Sequence, residues 1–332
     1  MKRKRTIISI PQDTTNWDLF RYHDQVRPDS LGHMHDWGTV DYFLLVYNET
    51  NTPWNCHYLV KVLHGILAID YPIRLKVVYD QDSPKELIPF IHRLAPKAEF
   101  LCRPPVPPKI KKRLSCEWGM VWAYNQSDAD YVCFNQSDDI PYSNRVYLQI
   151  QSLLMYPKAA LSLAGKWLVV NGESRQIGYH EVYSRGSPCL GVPSSFMFNK
   201  HVLPQFVPQW RQWQKFICCT DIILILEVLK TAEVVAVHYP LFVYNFHGIP
   251  VSKTERSADD TLFKQYIKKH QREWDLTRFK YYPPLVDPAV EAQKQLNIQK
   301  YKEDRIYFKI WHEFEFSKKK HLLYKQWRKQ IQ

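Results

Sequence analysis

The stretch Asp130-Tyr-Val-Cys-Phe-Asn-Gln-Ser-Asp-Asp-Ile-Pro-Tyr-Ser-Asn-Arg145 decides how the chain is read. Its first part, Tyr131 to Phe134, is an unbroken apolar run of the length and composition of a buried strand. The run gives way to the polar Gln136-Ser-Asp-Asp139, and from Asn144 to about Met155 apolar residues return at helical spacing. Strand, acidic turn and helix in that order are the pieces of a parallel α/β unit, in which ligands meet polar residues at the carboxyl ends of strands.

Working outward toward the amino terminus, the same alternation repeats. Tyr42 to Tyr47 reads as a buried strand ended by Asn48 and Glu49, followed by a helix from about Trp54 to Ala68. Leu75 to Tyr79 makes a second strand, closed by Asp80-Gln-Asp-Ser83; a helix near Pro84 to Leu94 leads to a third at Glu99 to Cys102. A Pro-rich link, Arg103 to Pro108, and a helix from about Arg113 to Tyr124 then return the chain to Tyr131. Toward the carboxyl terminus the pattern turns mixed. Strands are expected at Leu161 to Leu163, Trp167 to Val170, Ser195 to Phe198, Val234 to His238 and Phe242 to Phe246, with a helix at Phe216 to Lys230. This divides the chain into an irregular extension over 1–39, a catalytic-size domain over 40–250 and a basic, largely helical tail over 251–332, broken at Pro283, Pro284 and Pro288.

Composition narrows the function classes. The 332 residues carry a formal charge of +12, concentrated at Lys2 to Arg5 and at Lys318, Lys319, Lys320, Lys325, Arg328 and Lys329. Clusters of that kind either keep a protein soluble or seek anions such as nucleic acid or an acidic membrane surface. The 7 cysteines are an odd set with no CxxC pair, which fits neither a disulfide framework nor a zinc site. His23, His33, His35 and Asp36 match no ligand spacing either. The apolar run Phe216 to Leu229 is interrupted by Asp221 and Glu227 and is too short for a bilayer, and Met1 to Asp13 lacks the apolar stretch of a signal peptide. A cytoplasmic location is expected, with the termini able to lie on a membrane.

Three strand ends carry polar sets: Asn48 with Glu49, Asp80 with Asp82, and Asp138 with Asp139. Taken singly, each Asp reads as a helix cap or turn residue. Gathered on one sheet edge they repel, and a magnesium or manganese diphosphate relieves the repulsion.

The ordered series from Val40 to Gly248 resembles the family-2-like glycosyltransferases of the GT-A type, which use a nucleotide-sugar. The resemblance is carried by Tyr47-Asn48-Glu49, Asp80-Gln-Asp-Ser83, the stretch Asp130 to Arg145, Ser194-Ser-Phe-Met-Phe198, Thr220-Asp221-Ile222 and Pro240 to His247. It implies an α/β fold, a Rossmann-like mixed sheet flanked by helices, with the basic helical appendage outside it. It also implies transfer of a hexosyl or pentosyl group to an acceptor hydroxyl, with inversion. Tyr47, Asn48 and Glu49 would meet the nucleotide, Asp80 and Asp82 the nucleoside, and Ser137 the donor. Asp138 would hold the metal (Mn or Mg), His247 would be a second ligand or a diphosphate contact, and Asp221 the general base. Arg113 is a candidate phosphate contact, or an ordinary exposed arginine. Gln136 stands where the family usually has the first acid of its DxD triplet; a carboxamide can bond a ribose hydroxyl but brings no charge to a cation.

The tail places Ile306, Ile310, Phe314, Leu323 and Trp327 near helical spacing among basic residues. It could dock on the domain, rest on a membrane or follow a phosphate backbone. The acceptor is accordingly open among a glycan, a lipid-linked species and a modified DNA base. The rival reading is a non-catalytic nucleic-acid-binding protein on a Rossmann-like core.

Overall fold

A computed structural model describes residues 37–46, 53–110, 114–170, 173–177, 192–213, 220–246, 273 and 275–282. The first strand, β1 (Val40–Val46), is buried at every position. Alternation sends Tyr42, Leu44 and Val46 to one face of the sheet and Phe43 and Leu45 to the other, so each face packs into its own apolar cluster. A strand buried on both sides belongs at the middle of a sheet. Accordingly β1 lies between β2 (Arg74–Tyr79) and β4 (Tyr131–Gln136), parallel to both, and β3 (Glu99–Cys102) completes this block beyond β2.

The second block is β6 (Ala159–Val170), β9 (Glu233–Phe246) and β10 (Phe279–Tyr282), again mutually parallel. One antiparallel strand, β8 (Phe196–Asn199), pairs β4 on one side and β6 on the other. Because it opposes both neighbours, the two blocks point the same way. The order is β10-β9-β6-β8-β4-β1-β2-β3, with β5 (Ile140–Pro141) on β9 and β7 (Glu173–Ile177) on β6. The carboxyl ends of all the parallel strands therefore share one edge.

Helices cover both faces. Residues of α1 (Pro53–Leu67), α2 (Leu87–Leu94) and α4 (Arg145–Met155) pack with Tyr42, Leu44 and Cys133; those of α3 (Ser115–Gln126) and α6 (Thr220–Leu229) pack with Phe43, Phe134 and Phe198. A short helix, α5 (Trp210–Trp213), adds the fully buried Trp213 to the second cluster. Each such large apolar side chain, moved from water to the interior, contributes about 1.5–3 kcal/mol. This is the α/β class and Rossmann-like mixed sheet expected from the sequence. No helix among the described residues is long and apolar enough to cross a membrane.

The differences from expectation are local. Leu161 to Leu163 and Trp167 to Val170 are one strand, as are Val234 to His238 and Phe242 to Phe246. The register between β6 and β9 shifts at Gly165, which stands opposite Pro240. A proline has no N–H to give the ladder, and it is tolerated where the ladder is already irregular. Within the stretch expected to be largely helical, residues 279–282 instead form β10, a strand of the central sheet, with Phe279 and Tyr281 in the core. The rest of the tail, and the extension over 1–36, lie outside the described residues.

Candidate functional site

β4 runs two residues beyond the expected Phe134, in register with β1 up to the pair Leu45 and Gln136. Gln136 is thus the last strand residue, and its backbone N–H donates to Ser194 Oγ at 2.8 Å. Ser194 belongs to the single turn of 3-10 helix (Pro193–Ser195) that feeds β8. This brings the single turn before β8 against the acidic turn.

The turn itself is held at both ends. On the near side, the fully buried Asn135 donates through Nδ2 to the carbonyls of Gln136 at 2.7 Å and Asp139 at 2.6 Å. On the far side, Ile140 and Pro141 pair with Val243 and Phe242 of β9, and the N–H of Tyr142 donates to the carbonyl of Leu241 at 3.0 Å. Ser137 is buried and Asp139 fully so, whereas Asp138 is half-buried at the tip. Of the two adjacent carboxylates, Asp138 is the one the turn leaves nearer solvent.

Beneath the turn lies a buried cation. Arg145, the first residue of α4, has no exposure; it donates to Asn135 Oδ1 at 2.8 Å, to the Tyr42 hydroxyl at 2.9 Å, to the carbonyl of Phe134 at 2.8 Å and to Gln149 Oε1 at 3.1 Å. Its guanidinium carbon also lies 5.4 Å from the Tyr42 ring centre and 5.7 Å from that of Phe242. Burial drives the Tyr42 hydroxyl far above its ordinary pKa, an effect only partly offset by Arg145, so Tyr42 stays a neutral donor to Asn135 Oδ1 at 2.9 Å. Burial also pushes the Cys133 thiol on β4 up to about 11, so that it packs as a neutral apolar side chain.

Asp80 follows β2 as expected, yet it is already engaged. Arg103, at the end of β3, forms a two-pronged ion pair with it: Nε donates to Oδ1 and Nη2 to Oδ2, the latter at 2.9 Å. The same guanidinium donates to the carbonyl and hydroxyl of Ser115 at the start of α3. The Asp80–Arg103 pair therefore ties β2, β3 and α3 together, and the Asp80 charge is offset by a cation of the fold itself. The turn is closed by Ser83, whose Oγ accepts from the Asp80 N–H at 3.0 Å; Asp82 is exposed.

Asp221 is the second residue of α6. α6 leads through Lys230 to Ala232 directly into β9 and packs on it, so it runs against the strand and its amino terminus lies at the carboxyl edge. The backbone of Asp221 thus shares an edge with the turn of Asp138. Tyr47, Asn48, Glu49, Arg113 and His247 lie outside the described residues. Among the described residues no group of three or more His, Cys, Asp or Glu is placed to hold a metal ion.

Sequence reasoning missed Arg103, Arg145, Asn135 and Ser194. The rule that selected Asp80, a polar residue at a strand's carboxyl end, selects Arg103 equally well. Arg145 and Gln149 stand four apart on α4, a spacing that pairs side chains on one helix face. Nothing in the sequence marks Ser194 as the partner of Gln136.

No protein-family model matches the chain, and no curated protein matches it in sequence. Among solved structures it is similar to S. aureus TarS 1–349 in complex with UDP-GlcNAc, at 10% identity over 79% of this chain and 72% of that one, with a TM-score of 0.49. It is also similar to the mannosyltransferase PcManGT from Pyrobaculum calidifontis in complex with GDP-Man and Mn2+, at 13% identity over 87% and 83%, with a TM-score of 0.49. Likeness at these identities and scores assigns no residue a role.

Proposed function

We propose that the chain is a glycosyltransferase that moves a sugar, hexosyl or pentosyl, from a nucleotide-sugar to an acceptor hydroxyl. The observation that carries this reading is the convergence on one sheet edge of a braced acidic turn bearing Asp138, the turn after β2 bearing Asp82, and the amino terminus of α6 bearing Asp221. Asp221 would take the proton from the acceptor hydroxyl as its oxygen bonds the anomeric carbon and the bond to the nucleoside diphosphate breaks. A single displacement of this kind inverts the anomeric centre. Gln136 and Ser137 would hydrogen-bond the donor, and Asp82, with Tyr47, Asn48 and Glu49, would meet its nucleoside. Asp80 would act through the Arg103 pair that fixes the shape of that edge.

A divalent ion, Mn or Mg, belongs to the proposal with Asp138 as its carboxylate and His247 as a further contact; bound, it would neutralise the departing diphosphate. The half-buried Asp138 carboxylate supports this, because Mg2+ at phosphate sites is commonly held by one or two carboxylates plus the substrate's own phosphates rather than by a protein cage. Arg113 is the proposed cation for the same diphosphate.

The test is nucleotide release across a panel of sugar nucleotides with Mn2+ or Mg2+, followed by transfer with Asp221→Asn. Release from one donor, with transfer abolished and donor binding retained in the variant, supports the reading. No release from any donor would instead favour a non-catalytic nucleic-acid binder, and surviving transfer would remove Asp221 from the role of base. The acceptor is proposed from the basic tail as a species at an anionic surface, whether lipid-linked glycan or DNA carrying a modified base. Comparing the full chain with one ending after Tyr301 for binding to DNA and to anionic vesicles separates the two by which binding the deletion abolishes.

A further inference from the structure

Within the acidic turn, one side chain bonds both its first and last residues, and that side chain is oriented by a buried cation. We infer that Asn135, oriented by Arg145, is a positioning residue that fixes where Asp138 is presented to the donor. The inference rests on the donor-site reading above, but its structural half is independent of it.

The orientation of the Asn135 amide follows from the chemistry of its partners. Arg145 can only donate, so the atom facing it at 2.8 Å is the oxygen. The carbonyls of Gln136 and Asp139 can only accept, so the atom facing both, at 2.7 and 2.6 Å, is the nitrogen. The amide uses both N–H bonds to clip the first and last residues of the four-residue turn 136–139, with Ser137 and Asp138 between them. Its oxygen is saturated by two donors, Arg145 and Tyr42. Rotating the amide would set donors against donors and carbonyl against carbonyl, so the turn has one low-energy closure. The backbone bond across it, from the Asp139 N–H to the Gln136 carbonyl, is long at 3.4 Å. The side-chain clip is therefore the stronger constraint.

Arg145 is fixed in its turn by Gln149, by the carbonyl of Phe134 and by the faces of Tyr42 and Phe242. Gln149 also donates to the carbonyl of Ser195 at 2.9 Å and to that of Ser162 at 3.1 Å. One buried network thus spans β1, β4, α4, β6 and the turn before β8. It sets the acidic turn relative to the segment that feeds β8.

The discriminating variant is Asn135→Asp. It keeps the oxygen that faces Arg145 and Tyr42 but replaces the two N–H bonds by an oxygen set against two carbonyls. Amide hydrogen exchange is measured on peptides covering 134–142 and α4, beside the half-saturating donor concentration in the nucleotide-release assay. The expected result is at least tenfold faster exchange within 137–139, little change in α4, and a half-saturating donor concentration raised at least tenfold. A rate scaled down at unchanged half-saturation would mean merely less folded protein and would overturn the inference. So would unchanged exchange in the turn. Should the variant fold poorly, Asn135→Gln supplies the second test: it retains both amide functions one methylene out of place, and unchanged exchange and half-saturation there would likewise overturn the inference. If the wild-type protein releases nucleotide from no donor, the donor-site reading fails, while the exchange measurement still decides whether Asn135 closes the turn.

Discussion

Asp130, just before β4, shows how one carboxylate can register two strands. It accepts from the backbone N–H of Thr39 at 2.7 Å and from the Thr39 hydroxyl at 2.9 Å, and His201 Nε2 lies 3.0 Å away. The Thr39 N–H, foremost, holds its carboxyl below the ordinary range. A pKa lower in the folded than in the unfolded chain gives stability that is present above the unfolded value and lost as pH falls through the folded one. Asp130→Asn should therefore be less stable than wild type at neutral pH, with the gap closing as the solution is made acid; denaturant midpoints across that range check it, and a constant gap would contradict it. Gly38 takes a φ of +120°, and a Cβ there would lie 2.8 Å from Asp130 Oδ2. Gly38→Ala should cost about 1–2 kcal/mol through strain and loss of that approach, read from the same midpoints. For the proposed chemistry, Asp138→Asn should raise the half-saturating metal concentration in the nucleotide-release assay at least tenfold; an unchanged value would remove Asp138 from the metal site.

At the scale of elements, α1 lies so close to β5 that a Cβ on Gly65 would meet the Pro141 carbonyl at 2.8 Å. Alanine is ordinarily the better helix former by about 1 kcal/mol. Here the obstacle is backbone that cannot turn aside, and overpacking of this kind costs about 1–3 kcal/mol. Gly65→Ala should thus lower stability, with a thermal midpoint below wild type; a rise would show that α1 and β5 can separate freely. The central strands were legible because burial on both faces writes long apolar runs, as in Tyr42 to Val46 and Tyr131 to Phe134. β5 was not, being two residues whose strand character exists only through pairing with β9. Nor was the continuity of β9 through Pro240, since a proline reads as a strand end unless the partner's register is known.

At the scale of the molecule, β10 brings residues 279–282, beyond the expected domain boundary at 250, into the sheet. Phe279 and Tyr281 enter the core, the Tyr156 hydroxyl donates to the Tyr281 carbonyl at 3.0 Å, and the Tyr282 hydroxyl donates to Gln151 at 2.9 Å. A chain ending after Tyr282 should retain this packing, whereas one ending after Pro250 loses two buried aromatic side chains. The midpoint of the shorter chain should fall on the order of 10 °C below that of the longer. Equal midpoints would show that β10 adds nothing to the fold.

The sequence by itself determined the α/β class, the succession of strands along the chain up to Phe134, and the collection of polar residues at strand ends, since hydrophobic periodicity and turn chemistry are local properties. Only the tertiary structure decided what those polar residues do for one another. It set Arg103 against Asp80, buried Asp139 while leaving Asp138 nearer solvent, and placed Arg145 and Asn135 beneath the turn. The partners in these contacts come from different strands and helices, and no local pattern records which charge a strand end will meet once the sheet has closed.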